Sequence, residues 1–422
     1  MLSLHAAETR RKRGTPPRIG LAIAGGGPIG AMYELGALRA LDEACEGLDL
    51  TRLDCYVGVS SGAFFAAGLA NRMDTAELCR IFISGDSLDV SFRPETFLRP
   101  ALLEYMRRAT KIPRLTAKLT RDFWFGQGDS RWSDLVNGIG GLVPTGLFDN
   151  AEVERFLREV FTRGGRTNDF RQLDRLLYVI GVDLDSGEAV RFGDKGWDDV
   201  PISQAVQASA ALPGLYPPVQ LRDKRGRTRH FVDGALRRTM HASIVLDRGV
   251  DLMLGINPLV PFNPGNDTEQ IETTDRHSHR RIADGGLPSV LSQTLRTMLQ
   301  SRMQVGLARY AQQYPDIDQM VFEPNADDRE LFYTNIFSFS ARHRISQMAY
   351  RNTLADLRKR RDVLGPILAE HGITLRSDVI ANKPRSILAH VPPGQPHTET
   401  TARLGRALDE IEHRIGVARG VV

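Results

Sequence analysis

Cysteine is scarce in this chain. Only Cys45, Cys55 and Cys79 occur among its 422 residues. An odd number of cysteines without a C-x-x-C pair argues against a disulfide framework and against a zinc site. We therefore expect a protein of a reducing compartment, the cytoplasm.

A surplus of one sign of charge is also missing. The chain carries 55 basic and 51 acidic side chains, and its formal net charge is +4. So small a surplus does not indicate binding to nucleic acid, and it supports no more than a weak preference for anionic surfaces. Nucleic acid is therefore not among the expected partners.

Long hydrophobic runs are absent as well. No stretch reaches the roughly 18 consecutive apolar residues that a transmembrane helix needs. The basic run Arg10–Arg13 is not followed by an apolar segment, which is the wrong order for a secretory signal. We expect a disordered basic arm over residues 1–17. The hydrophobic fraction of 41% is nevertheless typical of a globular fold with a large core.

A serine motif is the most informative feature that is present. Gly58-Val59-Ser60-Ser61-Gly62 follows an apolar, β-prone run over 53–57 and precedes a helix-like stretch over 63–70. Strand, G-x-S-x-G and helix in this order are typical of a nucleophile elbow. Glycines flank such a serine because neighbouring β-carbons would clash in the sharp turn. Ser60 is therefore the candidate nucleophile, with Gly58 and Gly62 as supporting residues.

A second glycine cluster, residues 25–30, lies between a predicted strand over 18–24 and a predicted helix over 31–44. Backbone N–H groups of glycines are unhindered, and the N-terminus of the helix adds a partial positive charge. Such amides can hold the oxyanion that forms when serine attacks a carbonyl group. The predicted oxyanion hole consists of Gly25, Gly26 and Gly27, with Gly30 as a supporting residue.

A serine hydroxyl also needs a base to accept its proton. Asp233 directly follows the apolar run His230–Val232 and precedes Gly234, so its carboxylate is expected to project from the end of a strand into a cleft. Asp233 is the candidate base. Strands and helices alternate from residue 18 onward, which indicates an α/β fold.

Together these motifs resemble the patatin-like phospholipases, a family of serine acyl hydrolases. The matching parts are the glycine loop, the G-x-S-x-G motif and the D-G-[GA] motif formed by Asp233, Gly234 and Ala235. Two further stretches, Leu176–Phe192 and Ala208–Val219, also look like the family. Order and spacing agree over residues 18–260.

The resemblance implies a Ser60–Asp233 dyad in place of a Ser-His-Asp triad, with Asp233 first accepting the serine proton and later activating water. It also implies a three-layer α/β/α sandwich with a mainly parallel central sheet. The implied substrates are lipid acyl esters, cleaved as by a phospholipase A or a lysophospholipase. No His, Cys or Asp cluster at ligand spacing predicts a metal ion or cofactor.

The chain departs from the family pattern at Ile29, where the family commonly carries Arg or Lys, and at Thr239 and His241, which fall near the places of an Asn and a Pro. A positive charge for the oxyanion must therefore come from elsewhere in the chain. This departure bears on rate and substrate more than on reaction class.

The domain boundaries are predicted as follows. The catalytic domain spans 18–260 and contains an inserted, cap-like segment of basic and aromatic residues over 89–128. A helical extension over 261–383 packs on it, and residues 384–422 form a linker and a C-terminal amphipathic helix. Residues 97–125 mix basic with apolar and aromatic residues, as a basic amphipathic helix does, which favours peripheral membrane contact or a lid over the site. An ordinary solvated helix explains the same pattern.

Other interpretations remain open. Gly25-x-Gly27-x-x-Gly30 also fits a dinucleotide-binding oxidoreductase, although the second strand lacks the acidic end that this fold uses. His230 and His241 flank Asp233, and a triad in the chain order Ser, Asp, His is formally allowed with His241 or a later histidine, such as His277, His279 or His343. The same dyad would also serve an acyltransferase, and a weakly active scaffold that binds lipid granules or membranes is the non-enzymatic alternative.

Overall fold

The computed structural model describes residues 1–8, 16–86, 92, 97, 99–101, 145–260, 286–325, 339–381 and 383–392. Most of the predicted cap-like segment and the whole predicted C-terminal helix lie outside the described residues.

The strands form one large mixed sheet and one small one. The strands are β1 (Leu2–His5), β2 (Ile19–Ile23), β3 (Cys45–Glu46), β4 (Cys55–Val59), β5 (Leu176–Asp183), β6 (Ala189–Phe192), β7 (Val219–Arg222), β8 (Thr228–Asp233), β9 (Leu252–Ile256), β10 (Asp318–Phe322) and β11 (Thr374–Leu375). The large sheet has the order β1-β10-β9-β2-β4-β5-β8-β7, with β6 also paired to β5, and β11 pairs with β3.

The helices lie between these strands and after them. They are α1 (Gly27–Ala44), α2 (Ser61–Ala70), α3 (Thr75–Cys79), α4 (Ala151–Phe161), α5 (Ile202–Ser209), α6 (Ser243–Leu246), α7 (Gly286–Gln313), α8 (Phe339–Lys359), α9 (Arg361–Glu370) and α10 (Ser377–Ile380). A π-helical turn over Arg80–Ser84 follows α3, and short 3₁₀ turns cover Phe170–Gln172 and Gly234–Leu236.

The centre of the large sheet is parallel, from β10 through β9, β2 and β4 to β5. These strands are apolar runs because both faces of a parallel sheet are covered by helices. In the described part of the chain, antiparallel pairing occurs only towards the two ends, where β1 joins β10, where β6 and β8 join β5, and where β7 joins β8. The prediction of an α/β fold with a mainly parallel central sheet is confirmed.

Two hydrophobic cores lie on opposite faces of the sheet. Leu21 and Ile23 belong to the core that α1, α2 and α8 cover, whereas Ala22 and Ala24 belong to the core that α6 and α7 cover. Alternate residues of a strand point to opposite faces, so one strand contributes to both cores. Helix, sheet and helix are the three predicted layers.

The expectation of a disordered arm over 1–17 does not hold for Leu2–His5. These residues form β1, which pairs antiparallel with β10 and covers its outer edge. Leu2 is fully buried and Leu4 packs against the core, so the alternating apolar side chains stabilise the strand. Residues 9–15, with the basic run, lie outside the described residues.

The region after residue 260 contributes to both the sheet and its cover. Residues 318–322, in the predicted helical extension, form β10 because this buried run pairs with β9. Helix α8 packs closely on α1 at Gly36, where a β-carbon would lie 2.3 Å from the Ser346 carbonyl oxygen. The C-terminal part therefore completes the core that lies under the glycine loop.

Candidate active site

Ser60 lies in the sharp turn between β4 and α2, with φ 50° and ψ −120°. A non-glycine residue in this region is strained by about 1–3 kcal/mol, which the surrounding structure must offset. The flanking glycines leave no room for side chains. A β-carbon on Gly58 would lie 2.5 Å from the Ala63 Cα, and one on Gly62 would lie 2.6 Å from the Ala24 carbonyl oxygen.

Ser209 fixes the strained turn from the side. The backbone N–H of Ser60 donates a 2.8 Å hydrogen bond to Ser209 Oγ, and Ser209 Oγ donates a 2.6 Å bond to the Ile180 carbonyl oxygen. Ser209 ends α5 and is fully buried. No sequence motif predicted a role for this residue, although it lies in the stretch Ala208–Val219 noted above. A polar residue among small apolar ones was the available signal.

Asp233 ends β8, where it lies opposite Gly181 of β5. Its backbone N–H donates to the Ala211 carbonyl oxygen at 3.0 Å. Gly234 follows because a β-carbon there would lie 2.2 Å from the Ile180 carbonyl oxygen. The Ile180 carbonyl oxygen of β5 thus accepts the Ser209 hydrogen bond and also lies against Gly234. Since Ser209 in turn accepts from the Ser60 N–H, the turn at Ser60 and the turn after Asp233 are both anchored at Ile180.

The structure brings the two predicted catalytic side chains together. Asp233 is 2% exposed and Ser60 is 7% exposed, and the Ser60 hydroxyl lies beside the Asp233 carboxylate, close enough to favour its ionised form. Burial raises the pKa of Asp233 to about 6, against the opposing effects of the Ser60 hydroxyl and of the Ala235 N–H, which donates to Asp233 Oδ1 at 2.9 Å. A carboxylate with a raised pKa is a stronger base than an exposed one.

The predicted oxyanion loop passes directly against Ser60, the predicted nucleophile. A β-carbon on Gly25 would lie 2.9 Å from Ser60 Cβ. The Gly25 N–H donates to the Thr239 carbonyl oxygen at 3.3 Å, and the Gly26 N–H donates to Ser61 Oγ at 2.8 Å. Gly27 begins α1 with φ 63°, and its N–H finds no acceptor in the described part of the chain. Among the three predicted amides, that of Gly27 is therefore open to a ligand.

The departures from the family pattern have structural roles. Ile29 is buried in the core and does not line the pocket described below. Thr239 accepts the Gly25 bond. His241 is buried, which lowers its pKa to about 4, and its Nε2 lies 3.4 Å from the Gly234 carbonyl oxygen. No histidine in the described ranges lines the pocket, so a histidine triad finds no support there.

An apolar pocket of about 290 Å³ opens at Ser60 and Asp233. These two residues and Gly25–Gly27 form one part of its wall. Its walls carry aromatic and aliphatic side chains, which include Phe64, Phe82, Phe92, Phe97, Val153 and Leu215. Phe92 makes edge-to-face contacts with Phe82 and Phe97, at centroid distances of 4.9 and 5.3 Å. Such a lining suits the hydrocarbon part of a ligand.

Two arginines from the C-terminal part line the same pocket. Arg296 comes from α7, and burial lowers its pKa. Arg342 comes from α8, is 7% exposed, and its guanidinium carbon lies 5.4 Å from the centre of the Phe92 ring. The sequence offered no motif that would single out either residue. Positive charge thus reaches the pocket although Ile29 carries none.

Neither a membrane span nor a metal cluster occurs in the described ranges. No helix there combines the length and apolar character that crossing a bilayer requires. No group of three or more His, Cys, Asp or Glu side chains there is arranged to hold a metal ion.

Comparisons with known proteins are consistent with this geometry. The family model for patatin-like phospholipases matches residues 21–246, which is more than half of the chain and includes every predicted site residue. No curated protein sequence matches.

Three solved structures are similar to the chain. VipD from Legionella pneumophila is 21% identical over 62% of this chain and 54% of its own, with a TM-score of 0.31. Human GIVD cytosolic phospholipase A2, solved with a fluorophosphonate inhibitor, is 12% identical over 84% and 59%, with a TM-score of 0.31. The ExoU–SpcU complex from Pseudomonas aeruginosa is 17% identical over 91% and 73%, with a TM-score of 0.23. The chain thus spans little more than half of the first two.

Proposed function

The chain belongs to the patatin-like phospholipase family, and on that premise we propose that it is a lipid acyl hydrolase that cleaves fatty acyl esters through an acyl-Ser60 intermediate. One observation carries the proposal. The Ser60 hydroxyl lies beside a buried carboxylate, Asp233, and both residues line one apolar pocket. A serine, a base and an acyl-binding wall are the parts that ester hydrolysis by a covalent route needs.

In the first half of the reaction, Ser60 Oγ attacks the ester carbonyl carbon and its proton passes to Asp233. The bond from that carbon to the leaving oxygen then breaks, and Asp233 returns the proton to the departing alcohol. In the second half, water attacks the acyl-Ser60 carbon and gives its proton to Asp233. Ser60 Oγ leaves with that proton, which releases the fatty acid. Asp233 is suited to both halves because its pKa of about 6 makes it ionised yet basic near neutral pH.

The oxyanion forms next to two helix N-termini. Ser60 precedes the first turn of α2, and Gly27 begins α1. The partial positive charge of both ends favours a developing negative charge, and the open Gly27 N–H supplies a directed donor. Loss of one such donor costs about 10²–10³ in rate in serine hydrolases.

The proposed substrates are acyl esters of phospholipids or lysophospholipids. The aromatic and aliphatic lining receives the acyl chain, and Arg296 and Arg342 favour an anionic group elsewhere on the substrate. The buried, unpaired Cys45, Cys55 and Cys79 support a reducing compartment such as the cytoplasm as the place of action.

The test is intact-protein mass spectrometry after incubation with a fluorophosphonate. We expect one adduct on the wild type, none on Ser60→Ala, and strongly slowed labelling of Asp233→Asn. The three proteins are also assayed on a soluble ester and on phospholipid vesicles. An unlabelled, inactive wild type would favour the scaffold interpretation, whereas labelling without fatty acid release would point to acyl transfer to another acceptor.

A further inference from the structure

Glu34 is an acidic residue in a place where acids are rare. It lies in the third turn of α1, between Tyr33 and Leu35, and is fully buried. Burying a charged carboxylate without a cationic partner costs much free energy, so a buried carboxyl group without such a partner is normally protonated and neutral. Burial raises the pKa of Glu34 well above its usual value, in keeping with a neutral acid. The dyad and the pocket do not account for this residue.

Glu34 is joined to the glycine loop through Ser61. The Gly26 N–H donates to Ser61 Oγ at 2.8 Å, and the Ser61 hydroxyl donates to Glu34 Oε1 at 2.7 Å. Glu34 Oε2 is buried and has no hydrogen-bond partner in the described part of the chain. Within the described residues, the Glu34 carboxyl therefore makes a single hydrogen bond, which it accepts from the Ser61 hydroxyl.

The chain of hydrogen bonds ties two functional loops to each other. Ser61 follows Ser60, and Gly26 precedes Gly27, which lines the pocket and whose N–H has no acceptor in the described part of the chain. On its other side the loop is confined by Pro258, since a β-carbon on Gly26 would lie 2.3 Å from Pro258 Cγ. The Gly26 peptide is thus in contact with two groups, the hydroxyl of Ser61, which belongs to the Ser60 turn, and the rigid ring of Pro258.

We propose that Ser61 and Glu34 are positioning residues that hold the glycine loop against the Ser60 turn, so that the Gly27 N–H faces the oxyanion. The inference rests on the proposed function and adds two residues to its machinery. It also explains why the second of two adjacent serines is not a nucleophile. The Ser61 hydrogen is engaged by Glu34 and a lone pair by Gly26.

The first test compares Ser61→Ala with a matched control, Ser203→Ala. Ser203 is fully buried, accepts a 3.0 Å bond from Asn168 Nδ2 and donates a 2.9 Å bond to Glu154 Oε1, but it does not line the pocket. We expect Ser61→Ala to lower kcat about 10–100-fold, as for partial loss of an oxyanion donor, with KM little changed. Ser203→Ala is expected to lower the melting temperature and leave kcat within about twofold.

The second test separates positioning from stability at Glu34. Glu34→Gln keeps a carbonyl acceptor in the same place and should retain kcat within about threefold. Glu34→Met removes the acceptor and should lower kcat as much as Ser61→Ala, while the melting temperature need not fall because an unpartnered buried oxygen is also removed. The double variant Ser61→Ala/Glu34→Met should have a kcat no lower than that of the slower single variant, since both residues act through one chain of hydrogen bonds.

Hydrogen exchange of the Gly26 amide supplies a readout that does not need activity. We expect faster exchange in Ser61→Ala and Glu34→Met, and wild-type exchange in Glu34→Gln and Ser203→Ala. Unchanged exchange together with unchanged kcat in Ser61→Ala, or a Glu34→Gln variant as slow as Glu34→Met, would overturn the inference. The wild type could also fail to react with fluorophosphonate and to hydrolyse esters while the variants show the expected exchange pattern. That result would contradict the proposed function but not the positioning of the glycine loop by Ser61 and Glu34.

Discussion

The two walls of the pocket come from regions of different character. The wall that carries Ser60, Asp233 and the glycine loop lies within residues 21–246 and is built from the ends of strands and the turns that follow them. The second wall, with Arg296, Leu299 and Arg342, comes from α7 and α8. The difference between the two walls shows why only one of them could be recognised in the sequence. Side chains that must be held at exact positions require particular turns, and such turns need glycines at fixed spacing, which form a recognisable motif. A wall that only binds a ligand needs suitable volume and charge, which many sequences can supply without a motif.

The largest expected effect is on the first wall, with Asp233→Asn. We expect kcat on a soluble ester to fall by about 10²–10⁴, because an amide cannot accept the Ser60 proton. Steady-state hydrolysis measures this. If Asp233→Asn keeps wild-type activity, the base is another residue, and the first wall would not be the one that carries the chemistry.

The same substitution is expected to stabilise the fold above pH 6. The folded pKa of Asp233 is about 6, against 3.8 for an exposed carboxyl, so the folded state binds more protons between these values and its stability falls as pH rises through that window. Asparagine does not titrate. Asp233→Asn should therefore gain up to about 3 kcal/mol at pH 8 and lose this advantage by pH 4. Thermal unfolding at the two pH values checks it.

Activity of the wild type should depend on pH through the same group. Because the base must be ionised, kcat/KM should be level above pH 6 and fall about tenfold per pH unit well below it. Hydrolysis of a neutral soluble ester between pH 4 and 8 gives the profile. A midpoint well above 6 would indicate a different base, such as a histidine.

A smaller effect, about tenfold, is expected on the second wall from Arg342→Gln, as for loss of one favourable charge contact. It should appear as a higher KM for esters with an anionic group. Neutral esters, and labelling of Ser60 by a small neutral fluorophosphonate, should be little affected. Arg344→Gln, two residues along α8 and exposed, is the control. A loss of labelling in Arg342→Gln would mean that the second wall takes part in the chemistry.

The smallest activity effect is expected from Leu299→Ala, which enlarges the pocket. We expect a shift of a few fold in kcat/KM towards longer or bulkier acyl chains, measured on a chain-length series. Met303→Ala is the matched control, because Met303 is also buried on α7 but does not line the pocket. Both variants should lose stability, by about 2–5 kcal/mol, so only the shift in chain-length preference distinguishes them.

The contrast between the walls also decides what could be predicted. The family resemblance and the three-layer α/β fold are confirmed, because strand–glycine–helix patterns are local. The roles of Ser60 and Asp233 stay predictions, although their side chains lie together. Which amide of the glycine loop stays open could not be predicted, because that depends on tertiary partners of Gly25 and Gly26. Glu34 offered a signal, an acid within the otherwise apolar stretch Ile29–Leu38, whereas Arg342 offered none.

Strand order has a consequence for how the protein is made. β2 lies between β4 and β9, and β9 in turn pairs with β10, so the middle of the sheet awaits residues 252–256 and then 318–322. During synthesis, one edge of β2 therefore remains unpaired until more than two hundred further residues have left the ribosome. A fragment confined to residues 21–246 would keep that open edge permanently and is expected to aggregate. The unit that carries the motifs is smaller than the unit that folds.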